Sequence, residues 1–229
     1  MRAIAASFPF ARFAPKDAQR VSYTGNPVRF EAVALARSPY EAPGPSGEIR
    51  LLVFGGSQGA RVLSDLVPAA IALLPEALRW RFQVVQQARP EDINGVHAAY
   101  AGANVRAEVS AFFTDLPTRI QAAHLVICRS GASTVSELAV IGRPAILIPY
   151  PYATDDHQTA NANVLADAGA AWPVQQRDLT SDKLAQLLQE VFAHPDELAR
   201  RAERAAALGK PDAAQRLAEL VDSIGGGLS

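Results

Sequence analysis

Short apolar runs alternate with helical periodicity along most of this chain, from residue 49 onward. Mainly apolar runs at 49–54, 80–85, 105–107, 125–128, 145–149 and 171–174 predict buried strands. Between them, apolar residues recur at three- and four-residue spacing over 60–74, 91–101, 134–141, 157–168 and 181–193, with a shorter piece at 117–122. That spacing predicts helices with one covered face. Strands alternating with helices of this length imply βαβ units and a parallel sheet. The expected fold is α/β, a doubly wound, Rossmann-like parallel sheet with helices on both faces, over residues 29–208.

The two ends break this pattern. Residues 37–48 are rich in proline and glycine and read as a loop. Before it, 4–8 and 21–23 read as short strands with no evident partner in the chain. After the domain come an Arg/Ala/Glu-rich helix at 195–208 and an amphipathic helix at 212–224, and the tail from Gly225 is expected to be disordered.

Composition narrows the function classes. Of the 229 residues, 49% are apolar, so a sizeable core is available. A net charge of −1 argues against a nucleic-acid partner, which selects for a basic face. Cys128 is the single cysteine, so no intrachain disulfide exists and a reducing compartment fits best. Neither a membrane-spanning run nor a secretory leader is evident, and the expected location is cytoplasmic, peripheral to a membrane at most.

Three turns carry candidate chemistry, each at the carboxyl end of an expected strand. The richest is Arg129-Ser-Gly-Ala-Ser-Thr-Val-Ser-Glu137, where an apolar run stops at a small-residue turn and a helix begins. Backbone N–H groups and the helix dipole converge there on an anion such as phosphate. Glu137 follows about one helical turn later, within reach of a neighbouring hydroxyl. A plain capped helix, with Ser133 as N-cap, also fits this stretch. Gly55-Gly-Ser-Gln-Gly-Ala-Arg61 is the second turn. It is neither a Walker A loop nor a dinucleotide fingerprint, yet its backbone and Ser57 suit a phosphate. Packing alone is the competing reading. The third, Asp155-Asp-His-Gln-Thr-Ala-Asn161, is dense in donors and acceptors suited to sugar hydroxyls. Asp156 reads either as a helix cap or as part of that set. His157 reads as a substrate contact in preference to a general base. Two adjacent acids without a third spaced ligand do not make a metal site, and the histidines have no ligand spacing. Loops at the carboxyl ends of parallel strands share one crevice, so these turns point to one ligand.

Together, Gly55–Arg61, 128–137, Asp155–Asn161 and Tyr23-Thr-Gly-Asn-Pro-Val-Arg29 resemble the MurG family of bacterial N-acetylglucosaminyltransferases. The resemblance implies the C-terminal half of a GT-B fold. It further implies inverting transfer of GlcNAc from UDP-GlcNAc to lipid I, giving lipid II for peptidoglycan and the cell wall, with no cofactor or metal. By resemblance, Arg29 and Ser57 lie near the donor diphosphate, and Ala132, Ser133 and Thr134 form the helix terminus that receives it. Glu137 bonds the ribose, Phe113 meets the uracil through its backbone, and His157 and Gln158 contact the GlcNAc. Relatives often carry Gln where this chain has His157. Arg129 sits beside the phosphate turn, where its charge supports departing UDP.

The same resemblance divides the chain into 1–28 (last strands of an acceptor domain plus hinge), 29–208 (donor domain) and 209–229 (a helix that packs on the acceptor domain, and the tail). A catalytic base is not identifiable in this chain; it is expected in the acceptor domain, which also implies contact with the anionic inner membrane surface in the full-length protein. Alternatives are a UDP-sugar-binding subunit of a split transferase, a UDP-GlcNAc epimerase relative, and a non-enzymatic nucleotide-sugar sensor.

Overall fold

The strand β3 (Ile49–Phe54) shows how the sequence builds two cores on one sheet. Ile49, Leu51 and Val53 point to one face and join one buried apolar cluster, whereas Leu52 and Phe54 point to the other and join a second. A strand covered on both faces has no polar side, hence the apolar run 51–54, with exposed Arg50 near its start. The chain is described here from a computed structural model, over residues 3–8, 18–56 and 59–225.

Six parallel strands form the main sheet: β3, β4 (Phe82–Gln87), β5 (Arg106–Ser110), β6 (Leu125–Cys128), β7 (Ala145–Leu147) and β8 (Ala171–Pro173). Their spatial order is β5-β4-β3-β6-β7-β8. From β3 the chain runs outward to β5, then returns to β6 on the opposite side of β3. The order reverses between β3 and β6, the place where parallel α/β sheets open a crevice. Helices α2 (Arg61–Ala72), α4 (Ile93–Gly102) and α8 (Ser181–Ala193) cover one face. The other face is covered by α1 (Phe30–Ala34), α5 (Leu116–Ala122), α6 (Ala132–Ile141), α7 (His157–Asp167) and α9 (Pro195–Leu208). The doubly wound α/β architecture read from the apolar pattern is therefore the observed one.

Several details differ from the sequence reading. The strands expected to lack partners pair with each other: β1 (Ile4–Ala6) and β2 (Val21–Tyr23) run parallel, with Ile4 opposite Val21 and Ala6 opposite Tyr23. Three-residue strands carry too little alternation to reveal a partner. α1 and α3 (Glu76–Arg79) are additional, each too short for a helical period to register. β4 begins and ends two residues later than its apolar run because it continues through Gln86 and Gln87. Gln86 is fully buried, donating to the Leu63 carbonyl and accepting from the Tyr100 hydroxyl, so a polar residue sits in the strand without an orphaned group. The amphipathic helix α10 (Ala213–Gly225) buries Ala213 alone among its residues. The tail beyond Gly225 and Ser57 lie outside the described residues.

Candidate functional site

A crevice of about 310 Å³ opens at the carboxyl edge of the sheet, over the switch between β3 and β6. Its floor is Phe54 and Gly56 after β3, and Gln87 at the end of β4. One wall is the loop after β5, with Phe112, Phe113 and Leu116; another is the first turn of α6, with Ser133, Thr134 and Glu137. Pro27, Val28 and Arg29, which lead into α1, close the side.

The start of α6 supplies the donors. Gly131 is its N-cap, in extended conformation, so the expectation of Ser133 in that role is corrected. The helix is entered two residues earlier, at the glycine, and Ser133 stands within the first turn. The first intrahelical bond is Val135 N–H to the Gly131 carbonyl (3.0 Å), which leaves the N–H groups of Ala132, Ser133 and Thr134 ahead of the ladder. Ala132 and Ser133 are exposed. The preceding glycine turn is tightly folded: a Cβ on Gly55 would stand 2.4 Å from the Ala60 nitrogen, and Gly56 has a φ of +88°.

Glu137 is nearly buried and sits at the crevice wall. Arg29 meets it with a bidentate pair, Nε and an Nη each 2.7 Å from a carboxylate oxygen. The hydrogen-bonded carboxylate holds the Arg29 guanidinium above its ordinary pKa. The hinge-like segment and α6 are thereby joined across more than a hundred residues of sequence. Behind Phe113, which is buried, Arg119 lies 4.3 Å from the ring centroid and is held by Glu108 (2.8 Å) and Asp115 (2.7 Å).

The remaining candidates are not among the residues that line the crevice. Arg129 is buried, its guanidinium donating to the carbonyls of Ile148 (3.2 Å) and Pro149 (3.0 Å) and to the Gln176 side chain (2.6 Å). Burial lowers its pKa. His157 is exposed, with Nδ1 2.7 Å from the Thr154 carbonyl. The Gln158 side chain accepts from the Tyr150 N–H (3.0 Å), and its carbonyl accepts from Ser130 Oγ (2.8 Å). Asn161 donates to the Ser130 carbonyl (3.0 Å), so the start of α7 is stitched to the turn before α6. Asp155 and Asp156 both have left-handed backbone, with φ of 52° and 53°. Asp156 stands at the N-cap position of α7 but makes no side-chain cap bond there; its carboxylate accepts from the Thr159 hydroxyl (2.6 Å). The carboxylate meets the Thr159 hydroxyl in the first turn of α7 and makes no side-chain cap bond, which corrects the capping reading.

Arg29, Phe113, Ser133, Thr134 and Glu137 thus meet in one crevice, whereas Ala132, Arg129, His157 and Gln158 are not among its lining residues. Gln87 and Phe112 were not singled out from sequence. Gln87 carried a usable signal, since two adjacent amides end the strand at the edge where the other turns gather.

A doubly wound parallel sheet, with a glycine turn, a helix N-terminus and a helix-borne carboxylate at its switch point, places the chain in the Rossmann-like class of ligand-binding α/β domains. Residues 50–217 match the glycosyltransferase family 28 C-terminal domain, and the chain belongs to that family. A Paramagnetospirillum magneticum protein named UDP-N-acetylglucosamine--N-acetylmuramyl-(pentapeptide) pyrophosphoryl-undecaprenol N-acetylglucosamine transferase is 52% identical over 222 residues, covering 96% of this chain and 60% of that protein. A Granulibacter bethesdensis protein of the same name is 56% identical over 203 residues, covering 89% and 53%. The crystal structure of Acinetobacter baumannii MurG superposes with a TM-score of 0.80 at 30% identity, over 97% of this chain and 61% of that one. The sheet is accordingly one half of a GT-B glycosyltransferase fold. The chain spans between 53% and 60% of the length of these two curated relatives.

Proposed function

We propose that this chain is the donor-binding half of an inverting N-acetylglucosaminyltransferase that takes UDP-GlcNAc and passes GlcNAc to lipid I, giving lipid II. The observation that carries the reading is the crevice: a glycine turn, the leading N–H groups of α6 and the Glu137 carboxylate face one space of about 310 Å³. The diphosphate lies at the α6 terminus and the glycine turn, with Arg29 beside it. The ribose hydroxyls meet Glu137, and the uracil meets the backbone at Phe113. GlcNAc extends past Ala132 towards His157 and Gln158. Charge growing on departing UDP is met by N–H groups already in place and by the helix dipole, a preorganised electrostatic effect. Arg129 adds positive charge beside the turn while its donors hold the carbonyls after β7.

The base that deprotonates the acceptor hydroxyl belongs to an acceptor domain outside residues 29–208. Residues 1–28 form the end of that domain and the hinge, and 209–229 the helix that covers it. The exposed side chains Tyr23, Phe30 and Val221 suit such a cover. The protein acts in the cytoplasm, on the inner face of the anionic membrane; no described helix is long and apolar enough to cross one. Calorimetric titration with UDP-GlcNAc tests the reading: saturable heat is expected, and none at millimolar ligand overturns it. Turnover is expected only when an acceptor domain is supplied.

A further inference from the structure

Gln87 closes β4 at the floor of the crevice and is 6% exposed. Its side-chain amide has two partners on two different loops. Oε1 accepts from the Gly55 N–H at 3.2 Å, in the glycine turn after β3. Nε2 donates to the Ala111 carbonyl at 3.1 Å, in the loop after β5 that carries Phe112 and Phe113. The Gly55 N–H is therefore turned inward, towards a side chain. Both partners are main-chain groups, so the amide fixes backbone to backbone. The strand pairing reinforces one side, with Gln87 in register with Ser110 and Ala88 N–H bonded to the Ser110 carbonyl at 3.0 Å. No single apolar or charged side chain satisfies both groups: methionine takes the side-chain partner from the Gly55 N–H and the Ala111 C=O, both part-buried bonds, and a carboxylate faces the Ala111 carbonyl with no proton to give.

We propose that Gln87 is a positioning residue whose amide sets the spacing between the glycine turn and the aromatic loop, and so between the phosphate and base ends of a bound nucleoside diphosphate. This rests on the donor-site reading above. The amide touches neither end of the ligand in this assignment; it acts by holding the two loops that do.

The test is UDP titration of the unaltered chain, Gln87→Met and Gln87→Glu, with thermal melts of each. One set is run near pH 8 and one near pH 5, just above the usual glutamate value of about 4.3. Burial beside a carbonyl raises the introduced carboxyl, so it is protonated at the lower pH and can donate to Ala111 while accepting from Gly55. Gln87→Met is expected to bind UDP roughly tenfold more weakly at both pH values, the scale of two lost part-buried hydrogen bonds. Gln87→Glu is expected to match the methionine variant at high pH and to recover to within about threefold of the unaltered chain at low pH. Taking ratios to the unaltered chain at each pH removes the titration of UDP itself. Methionine binding like the unaltered chain, or a glutamate ratio that does not change with pH, overturns the positioning role. So does failure of both variants to fold at either pH, which makes Gln87 a plain structural residue. No UDP heat with the unaltered chain overturns the donor-site reading instead.

Discussion

Replacing Arg29 by Met removes the guanidinium and leaves Glu137 in place. Glu137 keeps 6% of its side chain in solvent, and Arg29 keeps 44%. A fully buried pair broken from one side costs about 3–5 kcal/mol, because the remaining charge is stranded. A fully exposed pair is worth about 0–1 kcal/mol. With one partner buried and the other half in water, Arg29→Met should cost about 1–2 kcal/mol, two short charge-assisted bonds included. For a chain of this size each kcal/mol moves Tm by about 2–4 °C, so the expected fall is roughly 2–8 °C. The assay is urea unfolding with a double-mutant cycle through Glu137→Gln. Neutralising the stranded carboxylate should return part of the loss, giving a coupling of about 1 kcal/mol. A coupling below about 0.3 kcal/mol refutes the reasoning, since that is the scatter expected of independent sites. The same result would mean that the hinge segment is not tied to α6 by this pair.

Gly55→Ala forces a Cβ to within 2.4 Å of the Ala60 nitrogen, so the turn must open; UDP binding should be lost, and urea unfolding should show a cost of about 1–3 kcal/mol. Gly56→Ala meets no atom within 4 Å but must adopt a φ of +88°, so it should cost only about 1 kcal/mol, and equal losses at the two positions would contradict the geometry. His124 accepts the Arg50 N–H on Nδ1 at 3.0 Å, and burial, with Arg50, Arg143 and Arg81 nearby, lowers its pKa from 6.5 to about 4. The unfolded chain then binds more protons across that window, so stability is full above pH 6.5 and falls as pH drops towards 4. Urea midpoints of His124→Asn, which keeps an acceptor, should show a flatter fall over that range; an unchanged slope counts against this assignment.

The parallel sheet was legible because its strands are covered on both sides: β3 and β6 match their apolar runs at both ends, and both runs feed two cores at once. The gathering of turns at one sheet edge was legible for the same reason, since every βα connection of a parallel sheet emerges on that side. What the pattern could not supply is pairing. β1 and β2 are too short to show alternation, and nothing in Val21-Ser-Tyr23 announces Ile4-Ala-Ala6 as its neighbour. The strand order is a second case. Periodicity predicts β3 and β6 but not that they lie side by side, and it is this adjacency that brings the glycine turn against α6.

Side-chain partnership was the third illegible layer, and it decides which candidates can act on a ligand. Arg129 and Arg29 are both cations within the segments that carry the family resemblance. Arg129 is buried and gives its protons to carbonyls at the end of β7, so it holds the ground under the turn. Arg29 stays half exposed and is paired with Glu137, a carboxylate lining the crevice. A ribose hydroxyl that donates to Glu137 must share that carboxylate with Arg29 or displace it. Because each oxygen of Glu137 has further lone pairs, sharing is chemically available, and the pair then orients the carboxylate before the ligand arrives. Displacement instead releases a cation next to the α6 terminus, where a diphosphate would take it up. Both routes link occupancy of the crevice to the segment that precedes α1, which is the physical reason a residue at position 29 belongs to a site built mainly from residues 54–137.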